Sequence, residues 1–282
     1  MMLRSKTGGN KKMADKVIVS VAAVCGADAV NNPREIADDV IACAKSGAAM
    51  VHLHVRDYNN QLTDDLSVIK ETIDMIKAES NIIIQISTGG VSDMNIVQRC
   101  APLKMKEVEA TSLNVGSVNL GNAVYRNPID DVKYCVGRIL EEGVTPEVEV
   151  FELGMINTTE KLRKEFNFKS PLLYAVVLGH EGEMPGEPKA LMSMLNYLPE
   201  NEDTLWGITH ANRRDFGLVA AALGMGASVV RIGFEDSKYI DKDTISEKNL
   251  PLVEKTVKLI KAMDKTPATP DEARKILNIT AR

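Results

Sequence analysis

Short apolar runs rich in β-branched residues alternate with longer amphipathic stretches from residue 17 onward. This alternation predicts a parallel sheet with helices packed outside it. The runs that predict strands are 17–23, 50–55, 82–87, 107–112, 147–152, 172–178, 204–209 and 228–233. Helices are predicted at 33–46, 66–78, 130–142, 158–166, 188–197, 215–224 and 247–263, with a last short helix at 273–277. Eight such strands predict a closed (β/α)8 TIM barrel, an α/β fold whose active site lies at the C-terminal ends of the strands.

Size and composition favour one domain. With 282 residues and 44% hydrophobic content the chain can bury a large core, and barrels of this length commonly form a single unit. We therefore expect one barrel domain at 17–282. Residues 1–16 are polar and include a segment rich in Lys, Gly and Asn, so we expect a flexible N-terminal tail outside the fold.

Charge and hydropathy disfavour several classes of function. The net charge of -5 leaves no basic surface for nucleic acid, which favours small-molecule chemistry. No apolar run approaches the roughly 18 residues that span a bilayer, and the start of the chain lacks a secretory apolar centre, so we expect a cytoplasmic protein without a membrane partner. The 4 cysteines form no Cys-x-x-Cys pair, which argues against a structural zinc knuckle or a redox dithiol.

The candidate chemistry begins with two histidines in the second predicted strand. His52 and His54 alternate with Val51, Leu53 and Val55, so both imidazoles face the same side of the strand. Paired histidines can also be hydrogen-bonded structural groups. Zinc favours imidazole nitrogen, however, and catalytic zinc sites use three protein ligands with an open position, so the spacing predicts a zinc site that needs a third ligand.

Polar residues cluster at the predicted C-terminal ends of the other strands. Glu235 follows the eighth strand, which adjoins the first in a barrel and lies two strands from the histidines, so we expect it to be the third ligand. Arg231 and Asp236 form either a plain ion pair or, beside a cation, a carboxylate that accepts a proton from a carbon acid. The remaining polar positions at this end are Asp28, Ser87, Thr88, Ser112, Asn114 and Glu149.

Two of these positions allow alternative interpretations. Residues 87–90, with Gly89 and Gly90, form either an ordinary turn or a set of backbone amides that holds a carboxylate. Glu149 alternates with apolar Val148 and Val150, and a carboxylate inside a packed barrel is costly unless it meets a charge or a hydrogen-bond donor. It therefore either pairs with a basic side chain or supports the metal site.

Five motifs in order resemble the β-keto acid cleavage enzymes, and the likeness covers nearly everything from Val17 onward. The segments are HLHVRD at 52–57, IIQISTGG at 83–90, LNVGSVN at 113–119, PEVEV at 146–150 and RIGFED at 231–236. Within the family, the chain is most similar to members that cleave 3-keto-5-aminohexanoate in lysine fermentation. The resemblance implies a TIM barrel and a reaction in which a 3-keto acid and acetyl-CoA give acetoacetate and a new acyl-CoA.

The resemblance also implies roles for particular residues. It implies zinc on His52, His54 and Glu235, a deprotonating dyad of Arg231 and Asp236, and a homotetramer. With the residue-level reasoning, it gives candidate catalytic residues Arg231, Asp236 and Glu149, and candidate substrate contacts Asp28, Ser87, Thr88, Gly89, Gly90, Ser112 and Asn114.

Two features depart from the family pattern. The family members that act on amino substrates look to carry a Glu at the end of the first strand, where it resembles a clamp for the substrate ammonium. This chain has Asp28 at that position, and the loop that follows is shorter than in those members. The loop 179–186 adds His180 and two acids to a Gly-rich stretch, with CoA contact or a gate as its possible roles.

Two rival functions remain open on the sequence. A zinc hydrolase of the amidohydrolase type also carries His-x-His on a barrel strand, but on the first strand and with further histidines. A non-catalytic barrel that binds keto acids is the other rival, although such a relative would be expected to lose one of the five metal and dyad residues.

Overall fold

The structure is a computed structural model that describes residues 15–280, so the predicted tail falls almost wholly outside it, and Lys16 is already the first residue of a strand. The strands, in chain order, are β1 (Lys16–Ala22), β2 (Met50–Leu53), β3 (Ile83–Ser87), β4 (Ala110–Asn114), β5 (Val118–Leu120), β6 (Ala123–Tyr125), β7 (Thr145–Val150), β8 (Leu172–Leu178), β9 (Thr204–His210), β10 (Val229–Ile232) and β11 (Thr266–Pro267).

Eight of these strands close into a parallel barrel in the order β1, β2, β3, β4, β7, β8, β9 and β10. Closure is direct, because β10 pairs with β1 and places Arg231 opposite Ser20. The predicted TIM barrel is therefore confirmed. The pair β5 and β6 forms a separate antiparallel hairpin between β4 and β7, and β11 adds a short pairing to the start of β1.

The helices pack outside the barrel as α1 (Pro33–Lys45), α2 (Ser67–Glu79), α3 (Ile96–Arg99), α4 (Ile129–Glu142), α5 (Leu153–Glu165), α6 (Pro188–Leu195), α7 (Gly217–Gly224), α8 (Asn249–Ala262) and α9 (Pro270–Ile276). Local chemistry defines their ends. Asn32 caps α1 by accepting from the backbone N–H groups of Arg34 and Glu35, and Thr269 and Glu272 form a capping box on α9. Among the described residues no helix is long and apolar enough to cross a membrane.

Several predicted boundaries are wrong. The strand predicted at 107–112 begins at Ala110, because the chain first turns through a hydrogen bond from Val108 N–H to the Met105 carbonyl. The strand predicted at 147–152 occupies Thr145–Val150, and the helix predicted at 158–166 begins at Leu153. Strand β2 ends at Leu53, which leaves His54 just beyond it.

The barrel interior is apolar at one end and polar at the other. Near the N-terminal ends of the strands, buried Ile18, Met50 and Ile83 pack against Ala273 and Leu277 at α9. Because strand side chains alternate, the positions two residues further along β1, β2 and β3 also face inward, and these are Ser20, His52 and Gln85. All three are buried. Buried polar groups are costly unless they are paired, so this layer indicates a functional site.

Candidate active site

The structure brings His52, His54 and Glu235 together at the C-terminal mouth of the barrel. His54 Nε2 lies 3.2 Å from Glu235 Oε1, and His52 Nε2 lies 3.6 Å from the same oxygen. One ligand atom from each residue falls within 4.8 Å of the other two. The loop after β10 carries Glu235 into this position, and its backbone N–H donates to the Ala22 carbonyl at the end of β1.

A hydrogen-bond chain orients His52. Its Nδ1 lies 2.7 Å from Gln85 Oε1, and Gln85 Nε2 donates to Glu147 Oε2 at 2.5 Å. Because the amide oxygen can only accept, Nδ1 carries the hydrogen and Nε2 keeps its lone pair. Burial lowers the pKa of His52 to about 3, so the ring is neutral near pH 7.

Glu235 supplies a charged oxygen to the same point. Burial acts to raise the pKa of Glu235, but Arg231, His54 and His52 outweigh it and hold that pKa well below its usual range. The lone pair of His52 therefore faces an ionised carboxylate with no proton between them, an arrangement that a cation relieves. Two imidazole nitrogens and one carboxylate are a donor set that fits zinc.

Arg231 connects the carboxylates of the site. Its guanidinium donates twice to Asp236, from Nε to Oδ2 at 3.1 Å and from Nη2 to Oδ1 at 2.7 Å. It also donates to Glu149 Oε1 at 3.1 Å and to Glu235 Oε1 at 2.9 Å. Of the alternatives for Glu149, the structure thus shows pairing with a basic side chain. Burial raises the pKa of Glu149 to about 7.

The serine hydroxyls at the ends of β3 and β4 lie next to each other, since Ser87 Oγ is 3.2 Å from Ser112 Oγ. The neighbouring donors are used within the protein: Thr88 Oγ1 donates to the Ser112 carbonyl, and Gly89 N–H donates to Ser87 Oγ. A Cβ at Gly89 would lie 1.5 Å from the Tyr125 hydroxyl, so close packing accounts for this glycine. These contacts fit the turn interpretation of 87–90, and the binding of a substrate carboxylate by this segment stays a prediction.

Asn114 keeps an unused donor. Its Oδ1 accepts from Gly116 N–H at 3.3 Å, whereas its Nδ2 is buried without a hydrogen-bond partner in residues 15–280. Since buried amide groups are normally paired, Nδ2 is free to donate to a substrate.

The structure places Asp28 in an ion pair. Lys238 Nζ donates to Asp28 Oδ1 at 2.6 Å, and both side chains are partly exposed. Asn60 fixes the loop that carries Asp28 by donating to the carbonyls of Asp28 and Cys25. The carboxylate that was expected to bind a substrate ammonium is therefore already neutralised by a lysine of this chain.

Three positions of the candidate site were not predicted from the sequence. Gln85 and Glu147 could have been found by extending the inward alternation from Ser87 and Glu149 along the same strands. Lys238 gave no comparable signal, because only the fold brings it to Asp28.

Comparisons with known proteins agree with this geometry. The sequence pattern of the beta-keto acid cleavage enzymes matches residues 17–279. The chain belongs to this family. It is 35% identical to a 3-keto-5-aminohexanoate cleavage enzyme of Fusobacterium nucleatum subsp. nucleatum, over 95% of this chain and 99% of that protein. It is 33% identical to an enzyme of the same name from Acetoanaerobium sticklandii, over 94% and 99% of the two chains. The family confirms the predicted resemblance and an enzyme of the acyltransferase type.

A solved structure supports the fold alone. The apo structure of ObcA superimposes with a TM-score of 0.75 at 19% identity, and the match covers 88% of this chain and 65% of that chain.

Proposed function

We propose that this family member converts a 3-keto acid and acetyl-CoA into acetoacetate and a new acyl-CoA with the help of zinc. The observation that carries the proposal is the contact between Arg231 and both Glu235 and Asp236, because it joins the candidate metal ligands to the candidate base. Names of relatives support the reaction class, among them a 3,5-dioxohexanoate:acetyl-CoA acetone transferase from Paraburkholderia graminis, 28% identical over 88% of each chain.

His52, His54 and Glu235 would hold the zinc, which supplies Lewis acidity to the keto oxygen of the substrate when it is bound. Gln85 keeps the lone pair of His52 Nε2 directed at the ion site through its own contact with Nδ1. Ser87, Ser112 and the free Nδ2 of Asn114 offer hydrogen bonds that orient the substrate oxygens.

Asp236 is the base in this proposal. It takes a proton from C2 of the keto acid, and Arg231 stabilises the negative charge by holding both of its oxygens. The resulting carbanion attacks the thioester carbon of acetyl-CoA, CoA moves to the C3 carbonyl carbon, and the C2–C3 bond breaks. Asp236 returns its proton to C2, so that the acetyl group and the two-carbon acid fragment leave as acetoacetate, while the remainder leaves as acyl-CoA.

The identity of the keto acid is tested separately from the reaction. Because the two relatives described above are named for the cleavage of 3-keto-5-aminohexanoate, this compound is the first candidate substrate, and lysine fermentation is the first candidate pathway. The contact between Asp28 and Lys238 means that its ammonium would have to displace a lysine. The expected homotetramer and cytoplasmic location stay predictions.

The test is an assay of the purified enzyme with acetyl-CoA and a panel of 3-keto acids that includes amino, anionic and aliphatic members. Acetoacetate and a matching acyl-CoA should form only when acetyl-CoA is present. Activity should disappear in a zinc-free His52→Ala variant. Hydrolysis without acetyl-CoA would favour the amidohydrolase alternative, binding without turnover would favour a binding barrel, and unchanged turnover in the zinc-free variant would overturn the zinc requirement.

A further inference from the structure

The loop after β8 carries a histidine and a glutamate that the proposed reaction does not use. His180 Nδ1 lies 2.8 Å from Glu183 Oε1, and the backbone N–H of His180 donates to the same oxygen at 2.8 Å. Because a carboxylate oxygen accepts hydrogen bonds, the backbone N–H and the Nδ1–H of His180 both donate to Glu183 Oε1. Glu183 therefore fixes the orientation of the His180 ring.

Glu183 is a buried anchor. Its side chain is 0% exposed, and its second oxygen, Oε2, is buried without a hydrogen-bond partner in the described chain. A buried carboxylate is costly unless a positive charge lies beside it. Burial lowers the pKa of His180, but the hydrogen bond and the charge of Glu183 raise it above its ordinary value. The pair thus favours a protonated imidazole.

His180 belongs to the same mouth of the barrel as the candidate metal ligands. Its ring lies 6.1 Å from that of Phe151, which directly follows β7 and its Glu149. The charges of Asp236 and Arg231 also act on His180, the first raising and the second lowering its pKa. The loop is held in place at this mouth, because Glu181 accepts through its backbone carbonyl from Gly121 N–H of the hairpin.

One nitrogen of His180 is uncommitted. Nδ1 is bound to Glu183, whereas Nε2 has no hydrogen-bond partner among residues 15–280, and the side chain remains 29% exposed. Because the buried Glu183 carboxylate favours the protonated ring, Nε2 carries a hydrogen as well as Nδ1 and is an oriented N–H donor. Such a donor is strongest toward an anionic oxygen.

We propose that the dyad of His180 and Glu183 selects 3-keto acids that carry an oxygen acceptor, preferably a second carboxylate, at the end remote from the reacting carbons. This inference rests on the proposed function, since it assigns a substrate class to the same site. An ammonium at that end would meet an N–H donor and would be disfavoured. The pairing of Lys238 with Asp28 acts in the same direction, because it removes a free carboxylate from the mouth.

The experiment compares 3-oxoadipate, 3,5-dioxohexanoate, 3-keto-5-aminohexanoate and unsubstituted 3-oxohexanoate. We expect the highest kcat/KM for 3-oxoadipate. His180→Val should lower the ratio of the kcat/KM for 3-oxoadipate to the kcat/KM for 3-oxohexanoate by roughly 10- to 100-fold, the usual range for a lost charge-assisted hydrogen bond. His180→Gln keeps an N–H donor and should restore part of the ratio. Glu181→Gln, which changes an exposed acid of the same loop, is the matched control and should leave the ratio unchanged.

Calorimetric binding of 3-oxoadipate and 3-oxohexanoate to the zinc-loaded enzyme separates this inference from the proposed reaction. If no acid yields acetoacetate, the reaction is wrong, but tighter binding of 3-oxoadipate that depends on His180 still supports the dyad. An equal ratio in wild type and His180→Val, or a preference of the wild type for the aliphatic or amino acid, overturns the inference. If His180→Val does not fold, His180→Asn takes its place, because the shorter amide reaches only the position of Nδ1 and removes the donor at Nε2.

Discussion

His52 Nδ1 and Gln85 Oε1 form a 2.7 Å contact that leaves Nε2 as the ring nitrogen available to an ion. Gln85 is itself held by Glu147 on β7, so the orientation of a ligand on β2 depends on two further barrel strands. Second-layer contacts of this kind orient metal-binding histidines, and their loss usually weakens metal affinity 10- to 100-fold.

Replacing Gln85 with Leu should therefore weaken zinc binding by roughly 10- to 100-fold, because the Nδ1 hydrogen of His52 loses its acceptor. Competition with a chromophoric chelator measures the affinity directly. Gln61→Leu changes an exposed glutamine and is the control. Equal zinc affinity in Gln85→Leu and wild type would show that the contact has no such role.

Glu235→Gln should lose most of its bound zinc, because the variant replaces the charged donor of the triad with a neutral amide. Metal analysis after dialysis should find about one zinc per chain in wild type and much less in the variant. Glu254→Gln, on the exposed side of α8, should keep wild-type content. Full loading of Glu235→Gln would remove this carboxylate from the ligand set.

Lys238→Met should raise kcat/KM for 3-keto-5-aminohexanoate several-fold relative to 3-oxohexanoate, because it frees the Asp28 carboxylate for the ammonium. The folding stability should change little, since partly exposed ion pairs contribute about 0–1 kcal/mol. Thermal unfolding and steady-state kinetics check the two parts. Lys242→Met removes an exposed lysine nearby in sequence and should alter neither. A selectivity that does not change would place Asp28 away from the substrate.

Gly233→Ala should destabilise the protein by about 3 kcal/mol or more. Gly233 has a φ of 148°, and a Cβ there would lie 2.2 Å from the Ala22 carbonyl oxygen. Gly137→Ala is the opposite control, because within residues 15–280 no atom outside the local backbone of α4 lies within 4 Å of the added Cβ, and helical alanine is favoured by about 0.5–1 kcal/mol. Denaturant unfolding of both variants measures the difference, and equal stabilities would contradict the clash.

The sequence predicts the barrel well because a buried parallel strand has a strong local signature, an apolar run of limited length. The same period of two identifies His52 as an inward residue, and chain order predicts that Glu235 returns to it. Element ends are predicted poorly, as at β4, where residues 107–109 continue the alternation of polar and apolar positions but precede the strand. The pair of Asp28 and Lys238 has no local signature at all, since it arises only from tertiary folding.

Helix α9 closes the end of the barrel that lies opposite the candidate site. Ala273 and Leu277 seal a ring of apolar side chains to which Ile18 and Met50 contribute. A chain in which the barrel has formed but α9 has not docked would expose these apolar side chains to water and would be prone to aggregate. Docking of this short helix therefore covers apolar surface that would otherwise favour aggregation, so substitutions in α9 should lower the folding yield although they lie far from the candidate site.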